Sequence, residues 1–548
     1  MKKYLCILCV IWQFSLTAQS KEPLNVVWIS CEDMGPLLGA YGTPNIKTPH
    51  LDKLASEGVR YTNAYATVGV CSPSRFSIMT GMYAARLGAH NMRTGNFHNY
   101  KTPEQESYKT YIKVRDKTGR NVPEYSVVPP SYVTCFTEYL RSNGYYCANN
   151  FKCDYQFKTP FTAWDEVSGT ATYKKAPKGK PFFYVRNFMV THESRIWLRK
   201  DMPLTVKPNQ VVVPDYYPDI PVVRENIARK YSNIEEMDRQ VGVLLDELEA
   251  ANLMDRTVIF FWSDHGGNLL RQKRAVGNSG LHVPLIVRYP HKKEAGKVED
   301  RMVSLMDLGP TTLSVLGIEP PAYFDGKAFA GKYEAAPRNL VYGTADRFDE
   351  HTDMQRAVLD GRYVYVKNFM PQLPLIYRNA YREQIPMNRT LIEMNRNKQL
   401  MGDAAYMFMQ TKPREELYDL KMDPYEVHNI ANDSSQSERL SFFREKLATW
   451  QLEIGDKGFI PEHDLVEMFW PGMLQPTTAP VRFKKQKNGS IALFCDTAGA
   501  SIGYQIGDAV GGTHWELYTA PLKKIKKKQL VARAVRIGYR TSEIKRNY

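Results

Sequence analysis

The stretch NVVWISCED at residues 25–33 decides the fold class predicted from this sequence. The run at 25–30 is typical of a strand that is buried on both faces of a parallel sheet. Two acids, Glu32 and Asp33, follow directly after it. Because ligands of open α/β sheets bind at the carboxyl ends of the strands, these acids are candidate site residues.

Strands and helices alternate along the next part of the chain. Thr48, as an N-cap before Pro49, predicts the start of a short helix. Apolar runs at 182–190 and 258–262 predict buried strands, and apolar residues recur at helical spacing over 227–248. This alternation predicts an α/β fold with a large, mostly parallel sheet sandwiched by helices.

The pattern changes after about residue 340. Shorter strands and a late amphipathic helix indicate a smaller α+β subdomain, and beyond residue 460 short β segments between Gly-rich turns favour a β-sandwich-like accessory region. The buried face of the late helix is predicted to hold Leu440, Phe443, Leu447, Trp450 and Leu452. The predicted segments are a signal peptide (1–20), a main domain (21–340), the α+β subdomain (341–460) and the accessory region (461–548).

The amino terminus is typical of an export signal. Lys2 and Lys3 precede an apolar run at 4–16, and Ala18 and Ser20 form a small-x-small cleavage site. The run is too short to span a bilayer, and no later stretch approaches the roughly 20 apolar residues of a transmembrane helix. We therefore expect a periplasmic or secreted protein with no membrane span.

The net charge of +15 is concentrated near the carboxyl terminus. Residues 521–548 contain ten Lys or Arg residues and one acid, so the rest of the 548-residue chain is only mildly basic. A nucleic-acid groove through the body would require a basic patch or stripe there. Nucleic acid is therefore not expected as a partner, and the basic tail is explained as protection of an edge strand.

A second pair of candidate metal ligands follows a second apolar run. Asp264 and His265 come after the run at 258–262, as Glu32 and Asp33 come after the first. Three converging carboxylates would repel one another unless a cation neutralised them, and oxygen-rich ligand sets favour calcium or magnesium. The two pairs together predict a site for such a cation.

The motif CSPSR at 71–75 predicts an anion site. Pro73 can open a helix whose amino end carries partial positive charge, and Arg75 adds a full charge. Sulfate or phosphate is therefore favoured beside Cys71, where a bare cysteine would be an activated thiolate.

This combination resembles the formylglycine-dependent sulfatases of the alkaline-phosphatase superfamily, and among them bacterial polysaccharide sulfatases. In that family, Cys-x-Pro-x-Arg signals conversion of the cysteine to formylglycine (3-oxoalanine). The resemblance extends from about residue 25 to about residue 450. It rests on the nucleophile motif together with residues 25–33, 48–58, 263–266, 283–287 and 416–424.

The resemblance implies how the nucleophile and the metal are held. A formylglycine-generating or sulfatase-maturating enzyme would convert Cys71, and the hydrate of the product would attack sulfur. Arg75 would hold this hydrate. One Ca²⁺ ion would be bound by Glu32, Asp33, Asp264 and His265.

Three more residues are implied to act on the sulfate ester. His192 would protonate the leaving alcohol, and Lys152 and Lys273 would grip the sulfate. The family pattern Gly-Lys-x-His is replaced here by FKCD at 151–154, so that Asp154 stands where histidine is usual. Either proton handling is redistributed or Asp154 contacts substrate hydroxyls.

The residues expected to bind the rest of the substrate are His90, Arg93, Asp154 and Arg347. Arg347 lies in DRFDE at 346–350, which resembles a segment of polysaccharide sulfatases that share the lysine-x-aspartate variant. Arg93 and Arg347 are candidates to bind a uronate or a second sulfate through bidentate pairing.

The sequence therefore predicts an exported sulfatase that hydrolyses sulfate esters on a sulfated polysaccharide or its oligosaccharides, either an algal polysaccharide such as ulvan or a glycosaminoglycan. One alternative is a phosphate or phosphonate monoester hydrolase on the same scaffold. The other is a catalytically inactive secreted glycan-binding protein, which the Asp154 substitution and the basic tail would suit.

Overall fold

The computed structural model describes residues 22–92, 97–99, 110–112, 114–523 and 529–547. The predicted signal peptide (1–20), the candidate substrate residue Arg93 and the lysine-rich residues 524–528 lie outside these ranges.

The strands fall into one large sheet and several small ones. They are β1 (Asn25–Cys31), β2 (Val59–Tyr65), β3 (Phe97–Asn99), β4 (Thr110–Ile112), β5 (Tyr146–Asn150), β6 (Glu166–Ser168), β7 (Phe182–Phe188), β8 (Thr257–Ser263), β9 (His282–Arg288), β10 (Lys297–Ser304), β11 (Val341–Ala345), β12 (Gln355–Leu359), β13 (Tyr363–Asn368), β14 (Glu415–Asp419), β15 (Arg482–Lys485), β16 (Ile491–Phe494), β17 (Ser501–Ile506), β18 (Glu516–Leu517), β19 (Leu530–Val535) and β20 (Lys545–Asn547).

Twelve α-helices occur in the described ranges. They are α1 (Pro49–Ser56), α2 (Cys71–Thr80), α3 (Ala84–Leu87), α4 (Phe136–Ser142), α5 (Ser194–Leu198), α6 (Pro221–Ala250), α7 (Asn278–Leu281), α8 (Leu308–Val315), α9 (Pro386–Arg396), α10 (Gly402–Tyr406), α11 (Ser437–Ile454) and α12 (Glu462–Phe469). None of these helices is both long enough and apolar enough to cross a membrane.

The main sheet has eight strands in the order β10-β2-β9-β8-β1-β7-β5-β6. Seven strands run in one direction, and β9 alone is antiparallel to both of its neighbours. The prediction of a large, mostly parallel sheet is therefore confirmed.

Both faces of the main sheet are buried because its central strand is apolar on both faces. In β1, Val26 and Trp28 belong to one hydrophobic core, which includes residues of α2, α4 and α8. Val27 and Ile29 belong to a second core on the opposite face, which includes residues of α1 and α6. Helices on both faces leave only the edges and the strand ends of the sheet for a site.

The α+β part is built on an antiparallel sheet in the order β11-β12-β13-β14, against which α11 packs. The predicted buried face of α11 is correct for Leu440, Phe443, Leu447 and Trp450. It is wrong for Leu452, which is 83% exposed. The helix buries Ile454 instead.

Helix α12 packs into the main core through Leu465, Val466 and Phe469. Two small antiparallel sheets follow, β15-β16 and β18-β17-β19-β20, and they share a separate core that includes Val481 and Leu530. The region predicted as a β-rich accessory segment therefore begins with a helix of the main body, and its strands begin at β15. The four segment boundaries themselves stay predictions.

The Trp28 side chain connects several elements of the main core. It is 1% exposed, stacks on Phe136 with ring centroids 5.1 Å apart, and contacts Phe183 and Trp262 edge to face. Its indole N–H donates to Thr312 Oγ1 at 3.1 Å.

We expect Trp28→Ala to lower the free energy of unfolding by about 3–5 kcal/mol, because it removes a large buried side chain and leaves a cavity. Urea denaturation followed by circular dichroism measures the change. Leu452→Ala, at an exposed position, is the control and should change stability by less than about 0.5 kcal/mol. Equal stability of both variants would show that the β1 core does not limit folding.

Candidate active site

Sheet topology brings the predicted site residues together. Strands β8, β1, β7 and β5 are consecutive neighbours and run parallel, so that their carboxyl ends lie side by side. Asp264 follows β8, Glu32 follows β1, His192 follows β7 and Lys152 follows β5. These four residues are distant in sequence and yet lie at one edge of the sheet.

Cys71 is the first residue of α2 and is fully buried. Its Sγ lies 3.4 Å from His265 Nε2, 3.8 Å from Asp33 Oδ1 and 3.9 Å from Glu32 Oε2. Burial raises the pKa of the thiol above its ordinary value. The bare cysteine is therefore a neutral group in this pocket, which differs from the activated thiolate expected from the motif.

The residues around Cys71 have the donor set of a cation site. Asp33, Cys71, Asp264 and His265 each offer one ligand atom, and these atoms all lie within 4.8 Å of one another. Glu32 also borders Cys71, and all of these side chains are fully buried. Carboxylate oxygens are the ligands that calcium and magnesium prefer, so the residues present fit the predicted metal.

Arg75 neutralises part of this acidic cluster. It lies one helical turn after Cys71, and its guanidinium contacts Glu32 while its Nε donates to Asp264 Oδ2 at 3.0 Å. Nη1 donates to Asn187 Oδ1 at 3.2 Å. Arg75 therefore fixes two of the candidate metal ligands.

Two lysines contact the same acids. Lys152 Nζ lies 2.6 Å from Glu32 Oε2, and Lys273 Nζ lies 2.6 Å from Asp33 Oδ2. Burial works to raise the pKa of Asp33, but the positive charge of Lys273 helps to hold that pKa well below its usual value. For Glu32, burial outweighs the nearby cations and raises the pKa.

The surroundings of His265 favour its protonated form when no metal is bound. Burial lowers its pKa, but Asp264 and Asp33 outweigh this effect and raise the pKa to about 10. Its Nε2 lies 3.0 Å from Asp33 Oδ1. Binding of a metal at Nε2 requires loss of this proton, so metal affinity should couple to proton release.

His192 has the opposite electrostatic environment. Burial and the charge of Lys273 lower its pKa to about 3. The backbone N–H of Ser194 donates to Nδ1 at 3.2 Å, and Ser194 Oγ lies 2.9 Å from the same nitrogen. Nε2 lies 3.4 Å from Lys273 Nζ, which directs it toward the site.

Asp154 is placed beside Lys152 by an unusual backbone. Its φ is 56°, in the left-handed region, and Oδ2 lies 3.7 Å from Lys152 Nζ. Its side chain is 23% exposed, so that it borders the site at a solvent-accessible position.

One substrate-binding prediction does not match the geometry. The guanidinium of Arg347 is 2% exposed, makes two hydrogen bonds to the carboxylate of Glu462 and also contacts two backbone carbonyls. Protein groups therefore saturate Arg347, and we do not assign a substrate contact to it. His90 is also 2% exposed, and its assignment to substrate binding stays a prediction.

Sequence reasoning missed two supporting groups. Asn187 is a polar residue within the apolar run of β7, and its Oδ1 accepts hydrogen bonds from Arg75 and from Ser30 Oγ at 2.7 Å. Glu193 binds Arg274 at 3.0 and 3.1 Å and also lies 3.3 Å from Lys273 Nζ. An amide inside a buried strand is a usable signal, whereas the Glu193 contacts depend on tertiary structure.

A close backbone approach explains the glycine after His265. A Cβ atom at Gly266 would lie 2.3 Å from the carbonyl oxygen of Ser279. Only glycine allows the two loops to pack this closely, and their contact holds His265 in place.

Comparisons with known proteins agree with this site. The family model described as Sulfatase matches residues 24–318, and the model described as N-sulphoglucosamine sulphohydrolase, C-terminal, matches residues 266–372. An Ulvan-active sulfatase of Formosa agariphila is 38% identical over 560 aligned residues, which cover 95% of this chain and 91% of that protein.

Solved structures show the same fold at lower identity. A protein in complex with its substrate D-glucosamine-2-N,6-O-disulfate aligns with a TM-score of 0.55 at 16% identity, covering 80% of this chain and 99% of the other. A phosphonate monoester hydrolase from Silicibacter pomeroyi aligns with a TM-score of 0.52 at 15% identity, covering 80% and 97%. The fold alone therefore does not distinguish sulfur from phosphorus chemistry.

The family is decided by sequence. A sulfatase model matches more than half of the chain, and a sulfatase relative is 38% identical over nearly its whole length. The chain therefore belongs to the sulfatase family and is a sulfuric ester hydrolase.

Proposed function

We propose that this protein is an exported sulfatase that removes sulfate from a sulfated polysaccharide or its oligosaccharides. The observation that carries the proposal is the position of Cys71, at the amino end of α2 and within 4 Å of Glu32, Asp33 and His265. Similarity to an Ulvan-active sulfatase supports an algal polysaccharide such as ulvan, and glycosaminoglycans are the second substrate class to test. The amino-terminal sequence supports export.

Two groups complete the proposed site. Formylglycine at position 71 would supply an oxygen nucleophile, and Ca²⁺ held by Glu32, Asp33, Asp264 and His265 would supply positive charge beside it. A maturating enzyme of the producing cell would convert Cys71.

Lys152 and Lys273 would bind the sulfate oxygens. The side chain of Lys152 is 10% exposed and that of Lys273 is 2% exposed. Lys152 contacts Glu32, and Lys273 contacts Asp33. Positive charge that is fixed in a water-poor site stabilises developing negative charge more strongly than it would in water.

His192 would hold the proton for the leaving alcohol. Its Nε2 lies 3.4 Å from Lys273 Nζ and faces the site, while Ser194 holds the ring through Nδ1. Hydrogen bonding from Nε2 to the ester oxygen would stabilise negative charge that develops there as the bond to sulfur breaks.

Cys71→Ala should abolish release of inorganic sulfate, because it removes the only thiol that α2 places among the candidate metal ligands. Cys495→Ala, in the β-rich region, is the matched control and should retain activity. Sulfate release is measured on a panel of ulvan and glycosaminoglycan oligosaccharides with Ca²⁺ present.

The phosphate ester of one alcohol is compared with its sulfate ester, and faster phosphate hydrolysis would favour the monoester hydrolase alternative.

Mass spectrometry of the peptide that contains Cys71 decides how a negative result is understood. Unmodified cysteine means that maturation failed, and formylglycine without sulfate release means that the panel lacked the substrate. Full activity of Cys71→Ala would contradict the proposed mechanism. Glycan binding without formylglycine or turnover would support the inactive binding protein.

His192→Ala should lower kcat for alkyl sulfates by about 10²–10⁴-fold, the usual contribution of a general acid. The loss should be much smaller for an aryl sulfate whose phenol leaves without protonation. His428→Ala, at an exposed position, serves as the control. An equal loss for both substrates would assign His192 to sulfate binding instead.

Calcium should stabilise the folded protein, because it would relieve repulsion among Glu32, Asp33 and Asp264. Ca²⁺ at about 100 times its Kd should add about 2.7 kcal/mol to the free energy of unfolding of chelator-treated protein. Thermal unfolding with and without Ca²⁺ measures this effect independently of activity. Asp264→Asn should reduce the stabilisation, and no effect of Ca²⁺ or Mg²⁺ on the wild-type protein would contradict the metal assignment.

A further inference from the structure

A cavity adjoins the candidate active site on the side of Lys273. It contains about 910 Å³ of space that protein atoms do not fill, part of it open to solvent. The loop that carries Lys273 and Arg274 forms one wall, and residues of β11, β13 and β14 form another.

Most charged side chains around the cavity are neutralised by the protein. Asp353 binds Lys412 Nζ at 2.5 Å, and Asp346 binds Arg356 at 3.0 Å. Lys273 binds Asp33. Each of these groups therefore has a partner of opposite charge within the protein.

Two buried arginines on the wall of the cavity, Arg271 and Arg382, form no ion pair with a carboxylate in the described ranges. Arg271 donates to the backbone carbonyl of Glu426, whereas Arg382 is 5% exposed and its Nη2 donates to the backbone carbonyl of Tyr377 at 2.5 Å. Arg378 and Arg274 nearby both form ion pairs.

The acids closest to Arg382 are engaged by other arginines. Glu193 and Asp349 both bind Arg274, with Nε of Arg274 2.7 Å from Asp349 Oδ2. Glu383 binds Arg378 at 2.6 Å. Arg382 therefore keeps an uncompensated positive charge inside the protein.

Such a charge is unfavourable in the free protein. Burial and repulsion by Arg274 lower the pKa of Arg382 to about 10, which leaves the guanidinium charged at neutral pH. A buried, unpaired charge costs folding free energy unless a partner compensates for it. An anion bound in the cavity would provide that partner.

Arg382 is also near the reacting groups. The preceding residue, Tyr381, has its ring centroid 6.4 Å from that of His192 and 5.1 Å from that of Trp197. Lys273 lies on the wall of the same cavity. A ligand that reaches both Lys273 and Arg382 would carry two negative groups.

We propose that Arg382 binds a second anionic group of the substrate, either a carboxylate or a second sulfate, carried on the sugar that occupies this cavity. The inference rests on the proposed sulfatase function and extends it to substrate specificity. A guanidinium suits both groups because each presents two oxygens to its paired N–H donors.

The test uses matched oligosaccharides that share the sulfate to be removed. They differ at one neighbouring position, which carries a carboxylate, a sulfate or a neutral hydroxyl. In Arg382→Gln, the ratio of kcat/KM for the anionic to the neutral substrate should fall about 10- to 100-fold, as expected for loss of one charge-assisted hydrogen-bonding interaction. The anion with the larger fall identifies the natural group.

Arg378→Gln is the matched control, because Arg378 is exposed and already paired with Glu383. It should leave the ratio unchanged. Without ligand, Arg382→Gln should unfold at the same temperature as the wild-type protein or at a higher one, since it removes an unpaired buried charge. Equal loss on all three substrates, together with a lower unfolding temperature, would overturn the proposal and assign Arg382 a structural role.

Binding separates this inference from the proposed function. If the wild-type protein releases no sulfate from any substrate, the sulfatase proposal fails, and equilibrium binding of the same three oligosaccharides then decides the role of Arg382. Weaker binding of an anionic oligosaccharide by Arg382→Gln than by Arg378→Gln supports the inference. Equal binding by both variants, or no binding by either, overturns it.

Discussion

The rest of the structure depends on the compensation of three buried carboxylates. Glu32, Asp33 and Asp264 emerge from neighbouring strands into a site that excludes water, where like charges repel strongly. Arg75 fixes two of them, and two lysines contact two. The fold therefore has to place α2, which carries Arg75, at the carboxyl ends of β1 and β8.

Much of this arrangement could be predicted because it follows from local sequence and sheet topology. An apolar run followed by acids indicates a buried strand and its carboxyl end, and parallel strands place such ends together. Cys71 and Arg75 lie one helical turn apart, so they share a helix face. The prediction that Leu452 lies on the buried face of α11 is wrong, because Leu452 is exposed. It comes two residues after Trp450, on the opposite side of the helix, and Ile454 continues the helical spacing of the buried face.

The sequence did not show whether a charged side chain forms an ion pair within the protein, because its partners are distant in sequence. Arg347 was predicted to bind substrate, but Glu462 from α12 lies against it and saturates its donors. Arg382 belongs to no motif, and yet it is buried beside the site and forms no ion pair within the described ranges. Arg347 is separated by 115 positions from its acid, and no local pattern encodes such a separation.

This contrast bears on how one scaffold serves several anionic substrates. The proposed metal ligands and nucleophile would contact only the sulfate group, so they would not by themselves choose the molecule that carries it. Selection among substrates would then depend on charged side chains outside the cluster of candidate metal ligands. A side chain without an ion-pair partner can contribute more to this selection than a paired one, because a paired side chain must first lose its partner. The arrangement of Arg274, which holds both Glu193 and Asp349, is what leaves Arg382 uncompensated. Specificity would then depend on the residues that touch the substrate. It would also depend on which of the neighbouring arginines form ion pairs with the nearby carboxylates.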